Sequence, residues 1–234
     1  MQMKDYKACI LAAGIGSRME VFTKHFNKAM LPIQGKPVIS HIIEKFPDDV
    51  EIVIALGYMG DSLKEYVRTA YPNKRLSFVE KYTGQGKGPG YRLLQCREHL
   101  SSPFIFSAAD TLVLEDIPEP KVNWFGLAKV LNIERFCSAK ISNRKVIKIE
   151  DKVKTDSEFA FVGLAGIKDH EIFLNALESN KNIIGEEIQV SNGLVSLVER
   201  DLHAEFFTWF DVGTPTSYTH AIKNYPFGSP YRGE

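Results

Sequence analysis

A stretch near the start of the chain, residues 11–32, combines small residues and cations at a spacing suited to phosphate binding. Small residues let the backbone approach a ligand closely and point successive N–H groups at it, which suits phosphate oxygens. We therefore expect a loop that binds the triphosphate of a nucleotide. The alternative is a tight strand-to-helix turn without a ligand. The residues predicted to contact the nucleotide here are Leu11, Ala12, Ala13, Gly14, Gly16, Ser17, Arg18 and Lys28.

Two better-known phosphate loops do not fit this stretch. A Walker-type loop needs Lys-Ser or Lys-Thr after its last glycine, and no such pair follows Gly16. A dinucleotide-binding fingerprint needs a glycine where Met19 stands. The stretch thus points to phosphate binding of another kind.

A second glycine-rich stretch has glycine at every second position from Gly84 to Gly90, which predicts a loop. A helix is predicted directly after it, at residues 91–99, and ligands bind where the strands of parallel sheets lead into helices. We expect the backbone of this loop to bind a nucleobase; a flexible linker is the alternative. The residues expected to contact the base are Gln85, Gly86, Gly88 and Gly90.

Asp110 follows an apolar run, residues 104–108, that predicts a buried strand. Burial penalises an unpaired charge, so a carboxylate at this position serves stability poorly and could instead hold a divalent cation. A helix N-cap is the alternative, although Pro118 and Pro120 argue against a long helix after it.

The elements that must position these residues alternate along the first half of the chain. Strands are predicted at 8–11, 51–56, 76–79 and 104–108, and helices at 37–45, 61–71 and 91–99. Such alternation with short links is typical of βαβ units and a parallel sheet. Beyond residue 120 the predicted strands are 124–130, 137–141, 146–149, 159–167 and 203–210, and the predicted helices are 169–179, 186–199 and 215–224. The predicted class is α/β, a Rossmann-like, mostly parallel sheet flanked by helices, with a smaller β-rich subregion.

The bulk properties exclude several kinds of partner. The 234 residues carry 29 basic and 29 acidic side chains, so no net charge draws the protein to nucleic acid or to an anionic bilayer. We expect no membrane span and no signal peptide, because no apolar run is long enough for the first and the N-terminus lacks the second. Three scattered cysteines without metal spacing fit reduced thiols in a cytoplasmic protein.

Taken together, these motifs resemble the nucleotidylyltransferase superfamily, which activates sugar phosphates and related small phosphates. LAAGIGSRM followed by NKAMLPIQGKPVI is similar to that family's glycine-rich signature, its downstream lysine and its Lys-Pro turn. Asp110 corresponds to the family's metal-binding aspartate, and WFDVGTP resembles the second metal-binding segment and thereby indicates Asp211. VIKIEDK resembles the segment whose lysine contacts the acceptor phosphate, here Lys152. Asn27 departs from the pattern, since a proline is common there.

The resemblance implies a GT-A-like fold and a reaction in which a nucleoside triphosphate and a phosphorylated acceptor give a diphosphate-linked product and pyrophosphate. It implies that Asp110 and Asp211 hold Mg²⁺. The catalytic residues that it implies are Arg18, Lys28, Asp110 and Lys152, and the acceptor-binding residues are Lys152, Gly163, Glu186 and Trp209. We expect one domain over residues 1–225, with a nucleotide-binding half (1–115) and an acceptor-binding half (116–225), and a tail at 226–234.

Several alternatives stay open at this point. The base could be that of CTP, UTP, GTP or dTTP. The acceptor could be a sugar 1-phosphate, for cell-surface polysaccharide synthesis, or a phosphocholine- or phosphonate-like head group handled by a cytidylyltransferase. A non-catalytic nucleotide-binding regulatory subunit is a reading of another class, and a homo-oligomer is left open. For individual residues, the alternatives are a solvated surface lysine for Lys152, a core residue for Trp209 and an exposed helix start for Glu186.

Overall fold

The computed structural model describes residues 4–80, 88–131 and 133–226, without the side chains of residues 20 and 21. The strands are β1 (Lys7–Ala12), β2 (Pro32–Ile33), β3 (Lys36–Pro37), β4 (Glu51–Leu56), β5 (Leu76–Val79), β6 (Phe104–Ala108), β7 (Thr111–Val113), β8 (Trp124–Lys129), β9 (Cys137–Ser142), β10 (Lys145–Asp151), β11 (Phe159–Ile167), β12 (His203–Phe206) and β13 (Trp209–Asp211). The α-helices are α1 (Glu20–Thr23), α2 (Val38–Ile43), α3 (Gly60–Ala70), α4 (Gly88–Gln95), α5 (His170–Ser179), α6 (Ser191–Leu194) and α7 (Pro215–Asn224). Short 3-10 turns occur at Ser17–Met19, Lys28–Met30, Arg97–His99, Ile133–Arg135 and Val195–Arg200.

Within these residues one nine-stranded sheet has the order β5-β4-β1-β6-β11-β8-β12-β10-β9. The four strands from β5 to β6 are parallel, and β11 joins them antiparallel to β6. β9 also pairs with β11, so the strands of the second half curl back on one another as a β-rich subregion. The predicted α/β class with a Rossmann-like sheet is confirmed, with the parallel neighbours concentrated in the first half.

The central position of β1 decides where the functional loops lie. β1 pairs on one side with β4 and on the other with β6, and Leu11 stands beside Ala108 in the register. Because neighbouring parallel strands end at the same edge, the glycine loop after β1 and Asp110 after β6 emerge side by side.

The sheet is covered on both faces, and its strands alternate between two apolar cores. In β4, Ile52 and Ile54 belong to one core and Val53 to the other. Helices α2, α3 and α7 contribute to the first core, and α4, α5 and α6 to the second. Two buried faces explain why these strands read as continuous apolar runs.

The prediction of one strand over residues 203–210 is wrong. β12 pairs with β8 in the large sheet, whereas β13 pairs antiparallel with β7 in a separate two-stranded sheet. Thr208 lies at the break, where its backbone N–H and its hydroxyl both donate to the carboxylate of Glu115. This contact turns the chain from one sheet to the other.

One helix prediction and one loop prediction need correction. The helix predicted from residue 186 begins only at Ser191, because Gly185 and Glu186 both have positive φ, +56° and +69°, and form a turn. Conversely, Gly88 and Gly90 lie in the first turn of α4 and not in a loop. Their lack of a side chain lets α4 start against residues 187–189.

Among the described residues, no helix combines the length and the apolar character needed to cross a membrane. The division into two halves near residue 115 stays a prediction.

Candidate active site

The glycine loop folds back on the segment that follows it. Gly16 has φ +70°, and a Cβ on it would stand 3.2 Å from Thr23 Cγ2 and 3.5 Å from Lys28 Cβ. A larger residue would therefore be strained and would push these neighbours apart. Gly14, Ser17 and Arg18 are exposed at the surface of the loop. The loop thus presents an open backbone surface with Lys28 packed behind it.

Lys28 lies in a 3-10 turn and reaches across the site to Asp110. Its Nζ donates to Asp110 Oδ2 over 2.5 Å, and the two side chains are only 19% and 26% exposed. The contact joins an ammonium and a carboxylate in a partly enclosed place, where such charge-assisted hydrogen bonds are strong.

Asp110 and Asp211 meet although they are far apart in the sequence. Asp211 stands opposite Thr111 in the pairing of β13 with β7, and the backbone N–H of Val212 donates to the carbonyl of Asp110 over 2.9 Å. A Cβ on Gly213 would stand 2.9 Å from Asp211 Oδ1 and 3.4 Å from Asp110 Oδ2. Glycine therefore leaves a space that both carboxylates face. Because β7 and not a helix follows Asp110, the N-cap alternative is wrong.

The two carboxylates ionise differently. Burial opposes ionisation of Asp110, but the ammonium of Lys28 and, more weakly, the guanidinium of Arg18 outweigh it and hold the pKa of Asp110 below its ordinary value. Burial and the charge of Asp110 together raise the pKa of Asp211. The site thus carries a carboxylate whose charge is not fully compensated by the neighbouring cations.

This arrangement fits a divalent cation such as Mg²⁺. Two carboxylates flank a space, and Mg²⁺ is usually bound through one or two carboxylates plus waters and substrate phosphates. In the part of the chain that the structure describes, no group of three or more His, Cys, Asp or Glu side chains could hold a metal ion. A cation between the aspartates would therefore need ligands from substrate or water.

Gly163 and Trp209 lie close to the aspartates. Gly163 has φ +77° at an irregularity in β11, and a Cβ on it would stand 3.0 Å from Thr111 Oγ1. Trp209 is two residues before Asp211 in β13, packs against the first core and has its ring centroid 5.5 Å from that of Phe136. These contacts fit the alternative that Trp209 is a core residue, here one that lies beside the site.

Lys152 and Glu186 are brought together on a neighbouring part of the surface. Lys152 is exposed, has φ +53°, and places Nζ 3.1 Å from the Cβ position of Gly185, next to Glu186. Its backbone N–H donates to the carbonyl of Phe136 over 3.3 Å. Phe136 in turn contacts Trp209, which lies two residues before Asp211 in β13.

The second glycine stretch is only partly visible. Gln85 and Gly86 lie outside the described residues. A Cβ on Gly88 would stand 2.5 Å from the Cβ of Glu187, and one on Gly90 would stand 2.6 Å from the carbonyl oxygen of Gln189. The N–H of Gly90 donates to the carbonyl of Ile188 over 2.9 Å. Close packing thus accounts for both glycines, and the predicted contact with a base stays a prediction.

Sequence reasoning missed several residues that shape the site. Gly213 opens the space between the carboxylates, and Gly57 lets the chain after β4 approach the carbonyl of Ala13. Asn27 and Thr23 are buried and bind the glycine loop. Gly57 could have been found, because a glycine directly after a predicted strand of the same sheet stands at the ligand-binding edge.

The fold and the site together define a class: a GT-A-like, Rossmann-type nucleotidyltransferase fold. Residues 8–116 match the family model of the MobA-like NTP transferase domain. The chain is 30% identical over 224 residues to the bifunctional protein GlmU of Methanococcus vannielii. The aligned region covers 89% of this chain and 52% of that protein. The chain spans about half the length of the GlmU relatives that it matches.

Two further comparisons agree with this class. The chain is 32% identical over 108 residues to choline-phosphate cytidylyltransferase of Streptococcus pneumoniae, and the aligned region covers 45% of each protein. The crystal structure of a UDP-glucose pyrophosphorylase complexed with UDP-glucose superposes with a TM-score of 0.80 at 21% identity, covering 94% of this chain and 98% of that one. The predicted resemblance to nucleotidylyltransferases is confirmed.

Proposed function

We propose that this protein is a nucleotidylyltransferase that transfers a nucleoside monophosphate from a triphosphate to a phosphorylated small molecule and releases pyrophosphate. The observation that carries the proposal is the convergence of Lys28, Asp110 and Asp211 beside the glycine loop. A regulatory subunit that only binds nucleotide would not need two carboxylates side by side at this loop.

The proposed reaction needs positioning and positive charge more than a general base. An acceptor phosphate is largely dianionic at neutral pH, because its second pKa is about 6. One of its oxygens bonds to the α-phosphorus, while the bond from that phosphorus to the bridging oxygen breaks and its electron pair leaves with pyrophosphate. Lys28 and Arg18 would neutralise the leaving phosphates, and Lys152 would orient the acceptor phosphate.

Asp110 and Asp211 would hold Mg²⁺, which would neutralise charge on the phosphates when bound. Lys28 has a second role here, since its contact with Asp110 keeps that carboxyl ionised and ready to bind a cation.

The acceptor is most simply a sugar 1-phosphate, and sugar nucleotide synthesis for cell-surface polysaccharide in the cytoplasm is the setting we propose. GlmU-type relatives and a UDP-glucose-bound neighbour of the same fold support it. A cytidylyltransferase acting on a choline-phosphate-like head group is the second candidate, favoured by the 32% identity over 108 residues to a choline-phosphate cytidylyltransferase.

The test is pyrophosphate release measured with CTP, UTP, GTP, dTTP and ATP against sugar 1-phosphates, phosphocholine and aminoethylphosphonate, with Mg²⁺ and with EDTA. We expect turnover with one base and one acceptor class that disappears in EDTA. Triphosphate binding without turnover for any acceptor would favour the regulatory subunit.

Asp110→Asn should lower turnover by two or more orders of magnitude, because it removes a charge from the proposed cation site. The fold should persist, since asparagine has the same shape. Asp156→Asn is the matched control, because Asp156 is exposed and pairs with Lys140 on the surface. Near-normal turnover of Asp110→Asn, with pyrophosphate measured at saturating substrates, would show that Asp110 holds no catalytic cation.

A further inference from the structure

We propose that Asn27 is a positioning residue that fixes Lys28 and the glycine loop relative to each other, so that both meet the same phosphates. This inference rests on the proposed function. Asn27 is 1% exposed and lies directly before Lys28. Its side-chain bonds go to the backbone of Ala12, Tyr58 and Ala29, so it would act on the site through these neighbours.

The side-chain amide of Asn27 joins three separate segments. Its Nδ2 donates to the carbonyl of Ala12 over 2.9 Å and to the carbonyl of Tyr58 over 2.7 Å. Its Oδ1 accepts from the backbone N–H of Ala29 over 2.9 Å. One amide thus binds the end of β1, the chain after β4 and the turn that carries Lys28.

Each of these bonds restricts the position of Lys28. Asn27 is the N-cap of the 3-10 turn Lys28–Met30, where its side chain accepts from the N–H of Ala29 and its backbone carbonyl accepts from the N–H of Met30. The bond to Ala12 connects that turn to the base of the glycine loop. A second connection lies further along the loop, where the hydroxyl of the buried Thr23 donates to the carbonyl of Gly16 over 3.2 Å. Two residues of the segment that leads into Lys28 therefore bind the loop, one at Ala12 and the other at Gly16.

The chemistry of the site makes such positioning consequential. Lys28 contacts Asp110 and, in the proposed reaction, would also neutralise a phosphate, and small displacements of a positioned group can lower rates by about a hundredfold. Proline, which is common at this place in the family that the chain resembles, has no amide group and could form none of the three side-chain bonds. Asn27 is this chain's own means of fixing the lysine.

The experiment measures the affinities of a nucleoside triphosphate and of the matching monophosphate for Asn27→Ala and for the wild-type protein. If Asn27 positions Lys28 and the loop for the terminal phosphates, the variant should bind the triphosphate at least tenfold more weakly and the monophosphate within about twofold of wild type. A role in general stability alone would leave the ratio of the two affinities unchanged.

Asn123→Ala is a matched control. Asn123 is 2% exposed and makes a similar set of bonds, to Asp169, to the carbonyl of Arg200 and from the N–H groups of residues 168 and 169. Asn123 directly precedes Trp124, which pairs with Gly166, and Gly166 in turn pairs with Ile105 near the start of β6. Asn123 therefore lies at the end of the sheet opposite to Asp110, which follows the last residue of β6. Both variants should lower the melting temperature, but only Asn27→Ala should change the affinity ratio.

Asn27→Ser serves if the alanine variant does not fold, because serine can still cap the turn but is too short to reach the two carbonyls. Its affinity ratio should change in the same direction. An unchanged ratio in a folded Asn27 variant, or an equal change in Asn123→Ala, would overturn the inference and leave the proposed function intact. If the wild-type protein binds none of the five triphosphates, the proposed function fails first and this inference with it.

Discussion

At the scale of single residues, the two aspartates of the candidate site have opposite pKa shifts although they face the same space. Lys28 contacts Asp110 directly, whereas Asp211 is buried beside the charge of Asp110. The folded state therefore binds the proton of Asp211 more tightly than the unfolded chain does. This contribution favours folding at low pH and is lost as the pH rises through the raised pKa of the folded state.

Asp211→Asn should consequently stabilise the metal-free protein at neutral pH, because it removes a repelled charge. We expect the melting temperature in EDTA at pH 7 to rise by about 2–4 °C, which corresponds to roughly 1 kcal/mol for a chain of this size. The gain should shrink as the pH falls through the raised pKa of the folded state and vanish below about pH 3, where Asp211 is protonated in both states. Thermal unfolding across this pH range measures it.

Two comparisons make that result interpretable. Asp156→Asn should not stabilise, since Lys140 lowers the pKa of Asp156 and the pair favours the charged form. Added Mg²⁺ should raise the melting temperature of the wild-type protein more than that of Asp211→Asn, because a cation that binds only the folded state stabilises it. A lower melting temperature for Asp211→Asn in EDTA would contradict the electrostatic account of the site.

At the scale of elements, positive-φ glycines separate into those that are needed for a turn and those that are needed for packing. Gly35 has φ +82° between β2 and β3, and nothing lies within 4 Å of its Cβ position. Gly88 has φ +81° at the start of α4, where a Cβ would meet Glu187 and Ile188. The same backbone conformation therefore has different consequences in the two elements.

Gly88→Ala should cost more unfolding free energy than Gly35→Ala. Both variants carry the strain of a left-handed alanine, about 1–2 kcal/mol. Gly88→Ala should lose a further 1–3 kcal/mol or so, because the helix and residues 187–188 must separate. Denaturant unfolding of both variants measures the difference. Equal losses would mean that α4 and residues 187–189 can move apart without lowering the free energy of unfolding.

At the scale of the whole molecule, the two halves share one sheet and both cores. β11 from the second half pairs with β6 from the first, and Leu164 and Ala165 of β11 enter the two opposite cores. Phe125 of β8 lies in the second core as well. The first half therefore depends on the second half for one edge of its sheet and for part of each core.

A fragment of residues 1–116, the part that ends with the matched NTP transferase region, should not fold cooperatively by itself. Its β6 edge would be unpaired, and the apolar faces now covered by the second half would meet water. Thermal unfolding followed by circular dichroism, with the full chain as the control, tests this. A sharp transition near that of the full chain would show that the first half is an independent domain.

The sequence alone predicted the parallel first half of the sheet, the glycine loop, and Lys28 and Asp110 as site residues, whereas Asp211 was indicated only by the family resemblance of its segment. These features depend on local signals: apolar runs of strand length, glycines where the backbone must turn, and charges placed directly after buried strands. The broad α/β class followed from the order of these elements.

Only the tertiary structure decided how those residues meet. The pairing of β13 with β7 sets Asp211 beside Asp110, Gly213 leaves the space between them, and Asn27 ties Lys28 to the end of β1. The division of residues 203–210 between two sheets was likewise hidden, because it depends on the contact of Thr208 with Glu115. Each of these relations joins residues that are distant along the chain, and a local pattern of residue types cannot specify which distant groups the fold will bring into contact.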